Sequence, residues 1–439
     1  MRDLLFIGVV FVCAFVALRR PVFGILAFTC LGFLNPHSMT WGLGKILPLS
    51  QIVAIGTIIG YLFWQEPKRF PHQRETLLLL LLWGMFGVST IFAIFPGRAF
   101  EFFIHISKIL LMVFLSTALI TNEIRLNWLV RVIALSVGFY GLKGGIFFLI
   151  TGGNYIVWGP EESFLYANNS IGLALAMNVP LLFYLSKTET NKWLRWMERA
   201  MLVFSYPATI GSFSRGAWVG LAIVTVLVIL RSKYRFLLMA TVGIVGVIIL
   251  PFLPQLFPPK VVERYDLLVN YEEESSAQSR FWNWECCKRV GFAHPLTGGG
   301  FDFYSKEIYE KYFPEFLERW PDKVWTCHSM WYTMFSNHGF PGLFLWIGLI
   351  GSCFLSLRQI HSFGKTHAKT MCFIYYAEML QVALVAFMVV GTFLDAAYFD
   401  MFYYLVAAII IIKERMRCLE SETSSATGLG ERNGVAVNA

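Results

Sequence analysis

This sequence has little charge for its length. Only 15% of its 439 residues are Asp, Glu, Lys or Arg, while 56% are hydrophobic, and the mean hydropathy is +0.59. That balance excludes an ordinary soluble domain of this length. Other absences narrow the chemistry. The sequence has no phosphate-cradling Walker loop, no dinucleotide-binding glycine fingerprint and no His-Glu-x-x-His zinc helix. A nucleotide-driven machine is therefore disfavoured. Long polar stretches are also missing, with one exception at 254–327.

What is present is a series of apolar segments from 4–18 to 400–412, most of spanning length. In lipid the backbone must satisfy its own hydrogen bonds, which predicts an all-α polytopic membrane protein. The parity of the segments predicts about 12 transmembrane helices, with one early pair broken or re-entrant. The run 4–18 ends in Arg19-Arg20-Pro21 without a small-residue cleavage site, so it reads as a retained helix. The expected organisation is N-terminal helices over 1–253, a partly helical loop domain over 254–327, C-terminal helices over 328–413 and a disordered tail over 414–439.

Net charge is +8, and its placement matters more than its size. Lys68, Arg69 and Arg74 share one short loop; Lys187, Lys192, Arg195 and Arg199 share another; Arg231, Lys233 and Arg235 fill a third. Segments 152–169 and 394–400 have no Lys or Arg. The positive-inside rule puts the basic loops in the cytoplasm, and 152–169 and the lobe 254–327 outside. Topology thus accounts for the basic residues, and nucleic acid is not an implied partner. The outward loops hold no Asp-x-Asp pair to carry a metal–diphosphate complex.

The lobe ends in Trp325-Thr326-Cys327-His328-Ser329, and an apolar segment with Gly339 and Gly342 follows at once. His328 therefore sits at the water–lipid boundary, either as a cap or as a general base. On a continuous helix both glycines would fall within about 40° of its face and admit a neighbouring helix, and Pro341 would loosen the helix near Asn337. His338 points elsewhere, as a packing or supporting group. Ser212-Phe213-Ser214-Arg215-Gly216 joins two apolar segments on the outward side, where Arg215 is a snorkelling anchor or an anion-binding guanidinium. Arg280 opens a helix predicted from Ser279 to about Val290, and Lys306 to Arg319 reads as a second amphipathic helix.

Further intramembrane charges complete the picture. Glu101, His105 and Lys108 share one helix face, and with Arg131 and Lys143 they are expected to form a neutralising network inside the bundle, or else to meet a lipid phosphate. Asn168 and Asn169 either cap a helix or bind sugar hydroxyls. Asp395 and Asp400 flank a short outward turn and read as surface residues. Cys286, Cys287 and Cys327 all belong to the lobe; the odd count and the adjacency of two weigh against a disulfide to Cys327.

The His-Ser-x9-Gly-x2-Gly run, the upstream Ser-Arg-Gly and the Arg opening the lobe helix resemble the O-antigen ligase family. Asn35-Pro36-His37-Ser38-Met39-Thr40-Trp41-Gly42, Gly159-Pro160-Glu161-Glu162-Ser163 and Ala167-Asn168-Asn169-Ser170 are similar to its exosortase-associated O-glycosylation ligases. The resemblance implies a GT-C-like enzyme of the bacterial inner membrane, with its active site at the periplasmic face. It implies an undecaprenyl-pyrophosphate-linked glycan as donor, lipid A–core as acceptor, and neither cofactor nor metal. By matching position, Arg215 and Arg280 would hold the pyrophosphate and His328 would deprotonate the acceptor hydroxyl. His338, Lys108, Asn168 and Asn169 would stand behind them. An O-antigen polymerase or a protein O-oligosaccharyltransferase would use the same donor. A lipid-linked-glycan flippase is the alternative of a different class.

Overall fold

The computed structural model describes residues 2–40, 42–66, 68, 70–249, 275–366 and 370–434. The lobe's acidic run Glu272-Glu273-Glu274, its opening prolines and Trp41 lie outside them. No strand occurs among the described residues. The helices are α1 (Arg2–Arg19), α2 (Pro21–Leu34), α3 (Leu43–Ile46), α4 (Leu49–Leu62), α5 (Arg74–Ile91), α6 (Pro96–Leu119), α7 (Glu123–Ile150), α8 (Asn168–Thr188) and α9 (Lys192–Gly211). Then follow α10 (Arg215–Leu230), α11 (Arg235–Ile249), α12 (Ser275–Ala293), α13 (Lys306–Tyr312), α14 (Pro314–Arg319), α15 (Met330–Thr366), α16 (Met371–Gly391) and α17 (Asp400–Gly434).

Boundary chemistry explains many of these starts. Asn122, Asn191, Ser214 and Ser305 accept backbone N–H bonds at the N-termini of α7, α9, α10 and α13. Proline opens α2, α6 and α14, where its missing N–H costs nothing. Pro314 also divides the predicted Lys306–Arg319 helix in two, because its ring disfavours helical geometry at Phe313.

Among the described residues, six helices are long and apolar enough to cross a membrane by length and composition: α5, α6, α7, α8, α15 and α16. The shorter apolar helices α2, α4 and α10 add to them. The chain is thus a helical membrane protein, and the six full-length spans are those of the described residues. Helix α9 falls short because charges share it: Lys192, Arg195, Glu198 and Arg199.

The core lies where α17 threads the bundle. Its residues Met401 to Ile412 are buried on every side, against Trp346 of α15 and Phe387 of α16. Beyond them the helix continues to Gly434. Residues 414–434 are therefore helical where their composition suggested a disordered tail, since an already nucleated helix extends at little cost.

Buried charge is locally compensated. Arg131 of α7 bonds Glu198 of α9 at 3.0 Å and meets Glu189 at 2.5 Å. Glu75 of α5 pairs with Lys413 at 2.9 Å and accepts Ser356 at 2.6 Å. The network expected for Glu101, His105 and Lys108 does not form. All three side chains are exposed on α6, with no ion pair among the described residues. Arg98, one turn earlier, instead meets Asp302 of the lobe at 2.9 Å and the Tyr304 carbonyl at 3.1 Å.

Candidate functional site

His328 occupies the last step of the lobe before α15. Its backbone is left-handed, with φ of 48°. For a residue with a Cβ this costs about 1–2 kcal/mol, so the surroundings must hold it there. One tether is covalent: Cys327 is disulfide-bonded to Cys287 of α12, 40 residues earlier. The odd cysteine count had argued against this bond. The odd thiol is Cys286, which faces Tyr309 and Phe316 in a separate buried cluster.

The same disulfide explains how Arg280 arrives. Arg280 lies seven residues before Cys287, two turns back on the same face of α12. Its positive charge reaches the imidazole and helps to lower the His328 pKa. Burial is the larger cause of that lowering, and Asp395 opposes both. The net effect is a depressed pKa, so the ring is neutral at neutral pH.

Asp395 corrects the sequence reading, which left it on the surface. It is partly buried in the turn between α16 and α17, with its Oδ2 3.5 Å from His328 Nδ1. Its Oδ1 accepts the Thr333 hydroxyl at 2.7 Å, and its Oδ2 accepts that of Thr326. The carboxylate is therefore aimed by two hydroxyls from the segments flanking the histidine. Facing Nδ1, it favours the tautomer that carries the proton there and leaves the Nε2 lone pair free. The available signal was weak: a lone Asp in an apolar turn, without the pairing that marks a metal site.

Arg215 begins α10, capped by Ser214 and preceded by Phe213 with φ of 52°. Where α10 starts, a Cβ on Gly216 would lie 3.8 Å from Phe393 and 3.9 Å from Val390. Packing thus leaves room at Gly216; Phe393 belongs to the turn that carries Asp395, and Val390 to the last turn of α16. Arg215 and His328 consequently flank one turn at one end of the bundle, while Arg280 approaches on the lobe.

Below this site α15 is broken, with Gly339 at φ 63°. Pro341 cannot donate to the Asn337 carbonyl, and Gly300 N–H takes that place at 3.1 Å. Gly299 N–H bonds the Ser336 carbonyl at 2.7 Å, and Phe340 N–H the Pro295 carbonyl at 2.8 Å. What approaches the break is therefore the glycine loop of the lobe rather than the neighbouring helix expected. Gly342 lies against the His338 Cβ of its own chain segment. Because the helix is broken, the continuous-wheel alignment of His328 with the two glycines does not apply.

His338 is fully buried between Phe86 and Phe301, with Nε2 2.6 Å from the Tyr398 hydroxyl. Asn337 donates to the same hydroxyl at 2.9 Å. Tyr398 sits three residues after Asp395, so the kinked helix braces the turn from beneath. Sequence reasoning missed Tyr398. Asn168 is the first residue of α8, not its cap; its amide donates to the Ser212 carbonyl at 2.9 Å and secures the junction that leads to Arg215. Asn169 is half-buried one residue on, and Lys108 remains on the exposed face of α6.

Two family matches divide the chain. Residues 1–190 match a family of unknown function (DUF5935), and residues 200–347 match the O-antigen ligase family (Wzy_C). No match was found among curated proteins. Arg215, Arg280 and His328 all fall within the second match, so the stretch that carries them is similar to the O-antigen ligase family.

Proposed function

We propose that this protein is an O-antigen ligase that transfers a glycan from undecaprenyl pyrophosphate to a hydroxyl of lipid A–core at the periplasmic face of the inner membrane. The observation that carries the proposal is a neutral, carboxylate-oriented His328 within electrostatic reach of Arg280, at the turn that Arg215 also flanks. The Cys287–Cys327 disulfide supports an oxidising, outward location for the lobe.

In the proposed reaction His328 Nε2 takes the proton of the acceptor hydroxyl as its oxygen attacks the anomeric carbon. The bond from that carbon to the pyrophosphate oxygen breaks, and the electron pair leaves with the diphosphate. Arg215 and Arg280 neutralise the charge that develops there, a role suited to the planar guanidinium fork. Asp395 stabilises the imidazolium formed. A single displacement inverts the anomeric centre.

The test uses purified protein, lipid-linked donor and lipid A–core, without ATP and with EDTA. A glycosylated lipid A–core that appears only with the protein is the expected product. Joining of two donor chains instead would identify a polymerase. Movement of donor across a bilayer with no bond formed would identify a transporter.

A further inference from the structure

A second feature at the same end of the bundle is not used by this chemistry. A cavity of about 950 Å³ opens between the outer part of α7, the loop 156–161 and the segment 38–45. It lies in the N-terminal part of the chain, which matches only a family of unknown function. Its lining mixes aromatic and polar side chains: Tyr140, Phe147 and Trp158 together with Ser38, Thr40 and Glu161.

The charge pattern is specific. Lys45 on one wall is neutralised by Glu161 at 3.1 Å and Glu162 at 3.5 Å. Lys143 on the other wall is exposed and has no carboxylate partner among the described residues. It lies twenty residues along α7 from Glu123, about 30 Å at 1.5 Å per residue, the thickness of a bilayer core. An uncompensated ammonium at that depth stands where the headgroup of a lipid would be. Aromatic faces, hydroxyls and a carboxylate around it suit sugar rings and sugar hydroxyls.

The cavity also adjoins the reaction site. Val157 on its wall donates its backbone N–H to the Gly211 carbonyl at 2.8 Å and packs with Phe213, two residues before Arg215. We propose that this cavity binds the phosphorylated saccharide headgroup of the acceptor glycolipid, with Lys143 on the phosphate and Trp158 against a sugar ring. The acceptor assignment rests on the transferase reading above. There the two arginines hold the donor diphosphate, which leaves the separate cation at Lys143 for the other substrate.

The experiment measures equilibrium binding of a monophosphorylated diglucosamine glycolipid, and of its dephosphorylated form, to the detergent-solubilised full chain. Undecaprenyl diphosphate serves as the donor probe. The expected result is tighter binding of the phosphorylated glycolipid, weakened about tenfold or more by Lys143→Gln and also weakened by Trp158→Ala, with donor binding unchanged. Because Lys143 is exposed, Gln should leave the thermal midpoint unaltered. Equal affinity in Lys143→Gln, equal affinity for the dephosphorylated glycolipid, or a loss confined to undecaprenyl diphosphate would overturn the proposal. His328→Ala should bind the glycolipid like wild type. An active enzyme that fails to bind the glycolipid condemns the cavity alone, whereas binding without any glycan transfer condemns the transferase reading alone.

Discussion

At His328 the chemistry depends on which nitrogen holds the proton and on where the ring titrates. Burial and Arg280 depress its pKa, and Asp395 opposes them. In the proposed reaction the base is active when neutral, so kcat/KM should rise with pH along a limb below the ordinary histidine range and level off above it. Asp395→Asn removes the group that raises the pKa and orients the ring. It should lower kcat and move that limb to still lower pH, whereas Arg280→Gln should move it upward. A pH–rate profile identical to wild type in both variants would contradict the arrangement. His328→Ala should reduce transfer by about 10²–10⁴-fold with donor binding retained, as single-turnover and binding assays can show. Arg215→Lys keeps the charge and loses the fork, and a fall in kcat of about 10²-fold is expected. Unchanged kinetics with Lys would mark Arg215 as an anchor. His328, Arg215 and Arg280 stood out in the sequence as candidates because each is a titratable or charged group at an apolar boundary, where the cost of misplacement is high. Asp395 and Tyr398 were not, since one Asp and one Tyr in a turn gain meaning only from what they face.

Among the elements, the broken α15 and the lobe's glycine loop form a single unit. Gly298 has φ 67°, and a Cβ there would come within 2.2 Å of the Asn337 backbone. Gly298→Ala should therefore push the loop off the break, expose the Ser336 and Asn337 carbonyls, and lower both thermal stability and transfer. Normal values for both would show that the loop is not seated there. The second tie is the disulfide. Closing 40 residues contributes about 4 kcal/mol in the chain-entropy account. Cys287→Ser should thus destabilise the lobe and loosen His328, lowering kcat more than the donor KM, and reductant should reproduce the effect on wild type. Pro341 announced the break from sequence. The partner that fills it could not be read there, because the glycine run and the proline are more than 40 residues apart and nothing local connects them.

Across the whole molecule, ions inside the bundle hold helices together in pairs. Arg131 joins α7 to α9 through Glu198, which is fully buried. Arg131→Met would leave that carboxylate without its cation, at a cost of about 3–5 kcal/mol in detergent thermal unfolding. The double variant Arg131→Met, Glu198→Met should recover much of that loss. A double variant as unstable as the single one would argue against a paired role. The helical membrane class was legible from hydropathy alone. The placement of Glu101, His105 and Lys108 was not, because a shared helix face does not say whether it turns inward or outward.

Composition by itself determined that this chain is helical and membrane-bound, because lipid enforces backbone hydrogen bonding within each helix. Tertiary structure alone decided that Asp395 faces His328, that a loop rather than a helix fills the kink, that Cys287 is the partner of Cys327, and that Lys143 opens into a cavity. Those relations join residues far apart in the chain, and their energies depend on distance and burial, which exist only once the helices have packed.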